Sequence, residues 1–143
     1  MIDFIKIDSV TLGIILRSNF KREGIEFFTP PDFSQQLGYM LRPKGYIINP
    51  HSHNLVQRDV FFTNEVLFIK SGTVRVDFYD GAQNYFESRT LFQGDTILLA
   101  HGGHGFEILE EAEIIEVKQG PWVGERDKTR FSDHAMRGRT ADD

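Results

Sequence analysis

The stretch that decides the fold class is Glu65-Val-Leu-Phe-Ile-Lys-Ser-Gly-Thr-Val-Arg-Val-Asp-Phe-Tyr-Asp-Gly81. Residues 73–79 alternate between apolar and polar side chains, which is the period of a half-buried β-strand. Asp80-Gly81 follows at once, and this dipeptide between two such runs is a strong hairpin signal. Ser71-Gly72 predicts a further turn before residue 73. We interpret Arg75, Asp77 and Tyr79, which share one side of the strand, as a salt-linked outer face.

Outward from this stretch, the chain is a series of short strands separated by turn signals. Pro30-Pro31, Gln93-Gly94 and Glu110-Glu111 mark such turns, and no long segment has the 3.6-residue period of a helix. The pattern predicts strands at 12–16, 24–29, 36–41, 46–48, 65–70, 73–79, 84–92, 96–99, 106–109 and 112–118. Short strands at this spacing are typical of an antiparallel sandwich or barrel.

Length and composition restrict the class of protein. A chain of 143 residues with 40% hydrophobic residues fits one domain, which we place at 1–131, with a flexible polar tail at 132–143. The net charge of −5 argues against a nucleic-acid groove. The absence of cysteine excludes disulfides and thiolate chemistry. Charges at residues 3, 6 and 8 and the lack of a long apolar run predict no signal peptide, no membrane segment and a cytoplasmic location.

The candidate functional residues are histidines and one glutamate. His51 and His53 are two positions apart, so on a strand both imidazoles point to the same face. Glu65 heads a strand whose neighbours on the same face are apolar, and a bound metal would satisfy its carboxylate. His101 and His104 enclose two glycines that allow close backbone approach. Three imidazoles and a carboxylate suit one divalent transition metal, Fe, Mn, Ni, Co or Zn.

The order of these residues resembles the two sequence motifs of the cupin superfamily. Gly45 with His51 and His53, then Glu65 and Gly72 with six residues between them, resembles the first motif; residues 94–104 resemble the second. The resemblance covers residues 45–118 and implies an all-β, cupin-type double-stranded β-helix, or jelly-roll barrel. It also implies a metal held by His51, His53, Glu65 and His104.

The sequence departs from the family pattern at three places. Eleven residues, 54–64, separate His53 from Glu65 where the family has three or four, so we interpret them as an insertion at the barrel mouth. Gln57 is the alternative ligand in place of Glu65. The proline of the second motif is replaced by Ala100, and His104 comes one residue early, which leaves His101 as its alternative. The final asparagine position of that motif has no match. Phe61-Phe62 in the insertion either packs under the loop or forms a lid.

Three functions are compatible with these residues. The first is a metal-dependent enzyme, an oxygenase or isomerase, that acts on a small molecule bound in the barrel. The second is a non-catalytic module that binds a small ligand or metal, since a fold does not fix a function. The third is a metal-free sugar-nucleotide epimerase or isomerase with a histidine acid–base pair. The family resemblance also implies a homodimer, and we expect neither a nucleic-acid nor a membrane partner.

Overall fold

The computed structural model describes residues 1–133. Its strands are β1 (Ile2–Ile7), β2 (Val10–Leu16), β3 (Gly24–Phe27), β4 (Gly38–Leu41), β5 (Glu65–Tyr79), β6 (Tyr85–Leu91), β7 (Thr96–Leu99) and β8 (Gly103–Lys118). A single 3-10 turn, Gly124–Asp127, is the other regular element of these residues. The tail predicted at 132–143 falls, from residue 134 onward, outside the described residues. Within residues 1–133 no helix is long and apolar enough to cross a membrane.

Six of the strands form one antiparallel sheet that curls strongly into a half-barrel. The order is β1-β2-β7-β5-β6, and β8 pairs with β5; β3 and β4 form a separate hairpin. The predicted all-β class is confirmed. The Asp80-Gly81 hairpin is confirmed between β5 and β6, and β7 has the predicted bounds. β1 was not predicted, and the strand predicted at 46–48 was wrong, because these residues belong to no strand.

The pairing of β5 with β8 is irregular at two positions that the sequence marks as turns. Ser71-Gly72 and Glu110-Glu111 do not end strands, because β5 and β8 both continue through them. The two sites face each other: Ser71 is paired with Glu113, and the register shifts on both sides of this pair. Bulges of this kind bend a strand without ending it. Gly72 has φ +84°, and a Cβ there would lie 2.1 Å from the Glu111 carbonyl oxygen, so glycine permits this close approach.

The sheet buries apolar side chains on both faces. Alternation along β2 and β7 sends neighbouring residues to opposite faces, so Ile14 and Leu98 belong to a small cluster that Phe28 and Phe33 cover. The larger cluster is made of Ile5, Leu12, Ile15, Leu67, Ile69, Val74, Val76, Phe78, Leu91, Ile97 and Leu99. This core holds β5 between β7 and β8 and therefore fixes the position of its first residue, Glu65.

The predicted outer face of β5 is buried, which corrects our interpretation. Arg75 is 2% exposed, and Asp77 is fully buried. The predicted ion pair itself is present: Arg75 Nε donates to Asp77 Oδ1 at 3.1 Å, and Arg75 Nη2 lies 2.8 Å from Glu107 Oε2. Ser88 Oγ also donates to Asp77. Buried charges are tolerated when they are paired and hydrogen-bonded in this way, so the alternating pattern did not imply exposure.

Candidate functional site

A pocket of about 780 Å³ opens at the end of the half-barrel where β5 begins and β7 connects to β8. Glu65 and His104 are part of its wall, and Phe61, Phe62 and Phe131 supply aromatic surface. This size is within the range of small-molecule sites, which combine apolar lining with a few polar groups. The pocket is therefore the candidate functional site.

Glu65 and His104 are in direct contact across the pocket wall. Glu65 Oε2 lies 3.1 Å from His104 Nε2, a hydrogen bond when that nitrogen carries its proton. The ladder explains the contact: Glu65 is paired with Leu99, the last residue of β7, and the chain reaches His104 five residues later. Two residues that the sequence assigned to separate motifs are thus brought together by the strand order and by the tight turn at 100–102.

Gly102 makes this turn possible. It has φ +75°, and a Cβ at this position would lie 2.3 Å from the Tyr79 carbonyl oxygen. A side chain cannot be placed so close to backbone, which confirms for Gly102 the close approach that the glycine pair predicted. Gly102 is two residues before His104. The close approach of the chain to Tyr79 therefore determines the position of the His104 backbone from which the imidazole extends.

The charges around Glu65 favour its ionised form. The hydrogen bond from His104 is the largest cause that lowers the pKa of Glu65, and the positive charges of His104, Lys118 and Lys128 lower it further; burial opposes them. The net effect is a pKa below the ordinary value of 4.5. Glu65 therefore acts as an acceptor and as a negative charge in this pocket at neutral pH, not as an acid.

Lys118 joins Glu65 to a second carboxylate. Lys118 Nζ lies 3.7 Å from Glu65 Oε1 and 2.6 Å from Asp127 Oδ2, while Thr63 Oγ1 donates to Asp127 Oδ1 at 2.6 Å. The bond to Asp127 raises the pKa of Lys118, and the bond from Lys118 lowers the pKa of Asp127. Sequence reasoning missed this chain of contacts. The contact follows from the antiparallel register, which pairs Glu65 with Lys118 and which no sequence motif reveals.

His51 and His53 lie elsewhere, on an exposed segment that is neither strand nor helix. Their ring centroids are 5.4 Å apart, and His51 Nδ1 is 3.0 Å from the carbonyl oxygen of Asn49. Neither lines the pocket. In the part of the chain that the structure describes, no three histidine or acidic side chains are grouped so that they could hold a metal. The four predicted ligands are thus present as two separate pairs, and the four-ligand centre stays a prediction.

The two alternative ligands have different surroundings. His101 lines the pocket, but its ring packs edge-on against Phe33 and Phe62, with centroids 5.7 and 4.9 Å apart. Gln57 is exposed on the same segment as His51. The contact of His104 with Glu65 therefore favours His104 over His101. Phe62 packs on His101 and lines the pocket; its predicted role as a lid stays a prediction.

The chain was compared with models of known protein families, with curated proteins and with solved structures, and none of the three comparisons found a match.

Proposed function

We propose that this chain is a cupin-type, jelly-roll protein that binds a small molecule in its pocket and a divalent transition metal on His51, His53, Glu65 and His104. The observation that carries the proposal is the contact of Glu65 with His104, 39 residues apart in the chain. The cupin resemblance predicted both as ligands of one ion, and a strongly curled antiparallel half-barrel is compatible with that architecture.

The donor chemistry fits a metal only in part. A carboxylate oxygen and an imidazole nitrogen that meet at a pocket wall are suitable ligands for the ions from Mn(II) to Zn(II). His51 and His53 do not join them in this arrangement, so the four side chains as they stand do not surround one ion. If bound, the metal would supply Lewis-acid or redox chemistry. We derive no reaction step from it.

The remaining pocket residues support binding of a small polar molecule. Lys128 and Arg130 add positive charge to the wall, while Phe61 and Phe131 offer faces on which a ring or an apolar group can pack. Lys118 remains a cation because Asp127 raises its pKa, so it serves to orient Glu65 and not as a base. Such a pocket serves an enzyme and a binding module equally well.

A metal-free acid–base site is the second candidate, and the same contact favours it. A carboxylate hydrogen-bonded to one imidazole nitrogen fixes the ring and leaves the other nitrogen available to exchange a proton with a substrate. In this case Glu65 orients His104, and the activity is that of an epimerase or isomerase on a sugar nucleotide. His51 and His53 would then have no part in the chemistry.

Metal content separates the two candidates. We expect wild-type protein, loaded with zinc and dialysed, to retain one ion per chain by elemental mass spectrometry. Replacement His104→Gln and the double replacement His51→Ala, His53→Ala should each abolish retention, because each removes ligands of the same ion. His101→Gln is the matched control and should retain the ion. A wild type that cannot be loaded would contradict the metal site and leave the acid–base pair and the metal-free binding module as the candidate functions.

A further inference from the structure

The segment that carries His51 and His53 is exposed to solvent along its whole length. All residues from 43 to 58, here called the arm, are exposed, and apart from a turn at 44–45 they have no regular structure. Large apolar side chains are nevertheless present: Ile47 is 78% exposed, and Leu55 is fully exposed. Long segments of this kind are usually either functional or linkers, and clustered exposed apolar groups mark surfaces that another molecule covers.

The strand that carries His104 has an unpaired edge. Among residues 1–133, β8 pairs with β5 and with no other strand, although it is 16 residues long. An open strand edge presents hydrogen-bonding groups that accept an added extended chain. Ile115 and Val117 on β8 are 53% and 59% exposed, and Phe68 next to Ile115 is also exposed. The edge therefore offers both backbone groups and apolar surface.

The charges of the two elements are complementary. The arm contains Lys44, Arg58 and the two histidines but no acidic residue. β8 contains five glutamates and one lysine, and four of these glutamates (Glu110, Glu111, Glu113 and Glu116) are exposed. Opposite charge on two unpaired surfaces favours their association and selects its orientation.

We propose that a second copy of this chain lays its arm along the free edge of β8 and completes the metal site in trans. The partner's His51 and the partner's His53 then join Glu65 and His104 of the first copy. Each copy has both an arm and a free β8 edge. Two copies related by a two-fold axis can therefore form the same contact twice, each arm lying on the edge of the other copy. The inference rests on the proposed metal function and adds that one copy alone holds half a site. The alternative is that the arm of the same copy supplies the two histidines. That arm would then have to move from its present position, in which neither histidine lines the pocket.

Complementation between two inactive variants tests the trans arrangement. One variant carries His51→Ala and His53→Ala; the other carries Glu65→Gln and His104→Gln. Each is expected to retain no zinc as a homodimer. Co-expressed with different tags and purified through both, the mixed dimer has one intact site, made from the arm of the second variant and the barrel of the first. We expect one zinc ion per mixed dimer. A mixed dimer with no zinc, while the wild type binds one per chain, would overturn the trans site and assign the ligands to a single copy.

Light scattering tests the docking without reference to metal. We expect a wild-type dimer, and we expect the double replacement Leu55→Asp, Val56→Asp to convert it to monomer, because it places charge on the apolar face of the arm. Asn54→Gln, beside them, is the matched control without added charge and should remain dimeric. A monomeric wild type, or a dimer that the double replacement leaves intact, would overturn the proposal. If the wild type binds no zinc, the proposed function fails, and this measurement alone decides whether the arm docks on a second copy.

Discussion

Replacing Gly102 by alanine should perturb both the fold and the candidate site, and the structure lets the loss be divided into two parts. The first part is conformational: at φ +75° an alanine pays about 1–2 kcal/mol for the left-handed region. The second is steric, since the new Cβ would be 2.3 Å from the Tyr79 carbonyl oxygen and 2.9 Å from Leu12 Cδ2. Ordinary contact begins near 3.4 Å, so backbone must shift by about 1 Å. Overpacking of this kind typically costs about 1–3 kcal/mol.

We therefore expect Gly102→Ala to lower the free energy of unfolding by about 2–5 kcal/mol in all. Gly124→Ala is the matched control, because Gly124 has φ +70° and no atom within 4 Å of its added Cβ, so only the conformational part applies. Urea denaturation followed by circular dichroism measures the free energy of unfolding of both variants. If the free energy falls with urea concentration at the same slope in each, their denaturation midpoints can be compared directly. Gly102→Ala should also reduce zinc retention by moving His104 away from Glu65. Equal losses of stability in the two variants would refute the close approach to Tyr79.

Two further outcomes follow from buried or partly buried charges. Asp77→Ala should lower the free energy of unfolding by about 3 kcal/mol, because it leaves Arg75 buried with fewer partners. Glu26→Ala breaks an exposed ion pair and should cost about 1 kcal/mol or less. Urea denaturation compares the two variants, and a similar small loss for both would contradict the buried network. The lowered pKa of Glu65 stabilises the fold above pH 4.5, and this contribution is lost as the pH falls through the lower folded-state value. The difference in free energy of unfolding between wild type and Glu65→Gln should thus shrink in acid, and a difference that does not change with pH would contradict the ionised pairing with His104.

The sequence predicted local features best where backbone chemistry alone determines them. The Asp80-Gly81 hairpin is such a case, since Asp80 accepts hydrogen bonds from the backbone N–H groups of Ala82 and Asn84 and needs nothing distant. β7 is another, because a short apolar run with turn signals on both sides fits a central strand that is buried on both faces. At Ser71-Gly72 the local signal was real but its meaning was ambiguous, because glycine at positive φ serves a turn and a bulge equally.

Burial of polar residues was the part that alternation could not predict. Arg75 and Asp77 alternate with apolar residues as exposed residues do, yet their partners Ser88 and Glu107 come from β6 and β8. Pairing across strands depends on register, which a single strand does not reveal. The same reason explains why Lys118 was missed beside Glu65: the two are brought together by the ladder of β5 and β8 and by no motif.

The eleven residues between His53 and Glu65 have the largest consequence for the site. A spacer of three or four residues would tether the His-x-His pair close to the glutamate, because an extended chain advances about 3.3 Å per residue. Eleven residues can span about 36 Å, so sequence proximity no longer determines which barrel the histidines reach. Glu65 and His104 are held together by β5, β7 and β8, whereas His51 and His53 lie on the exposed arm. In our proposal, the eleven-residue spacer separates the half of the predicted site that the strands hold in place from a half that a second copy supplies, and the mixed-dimer experiment tests that separation directly.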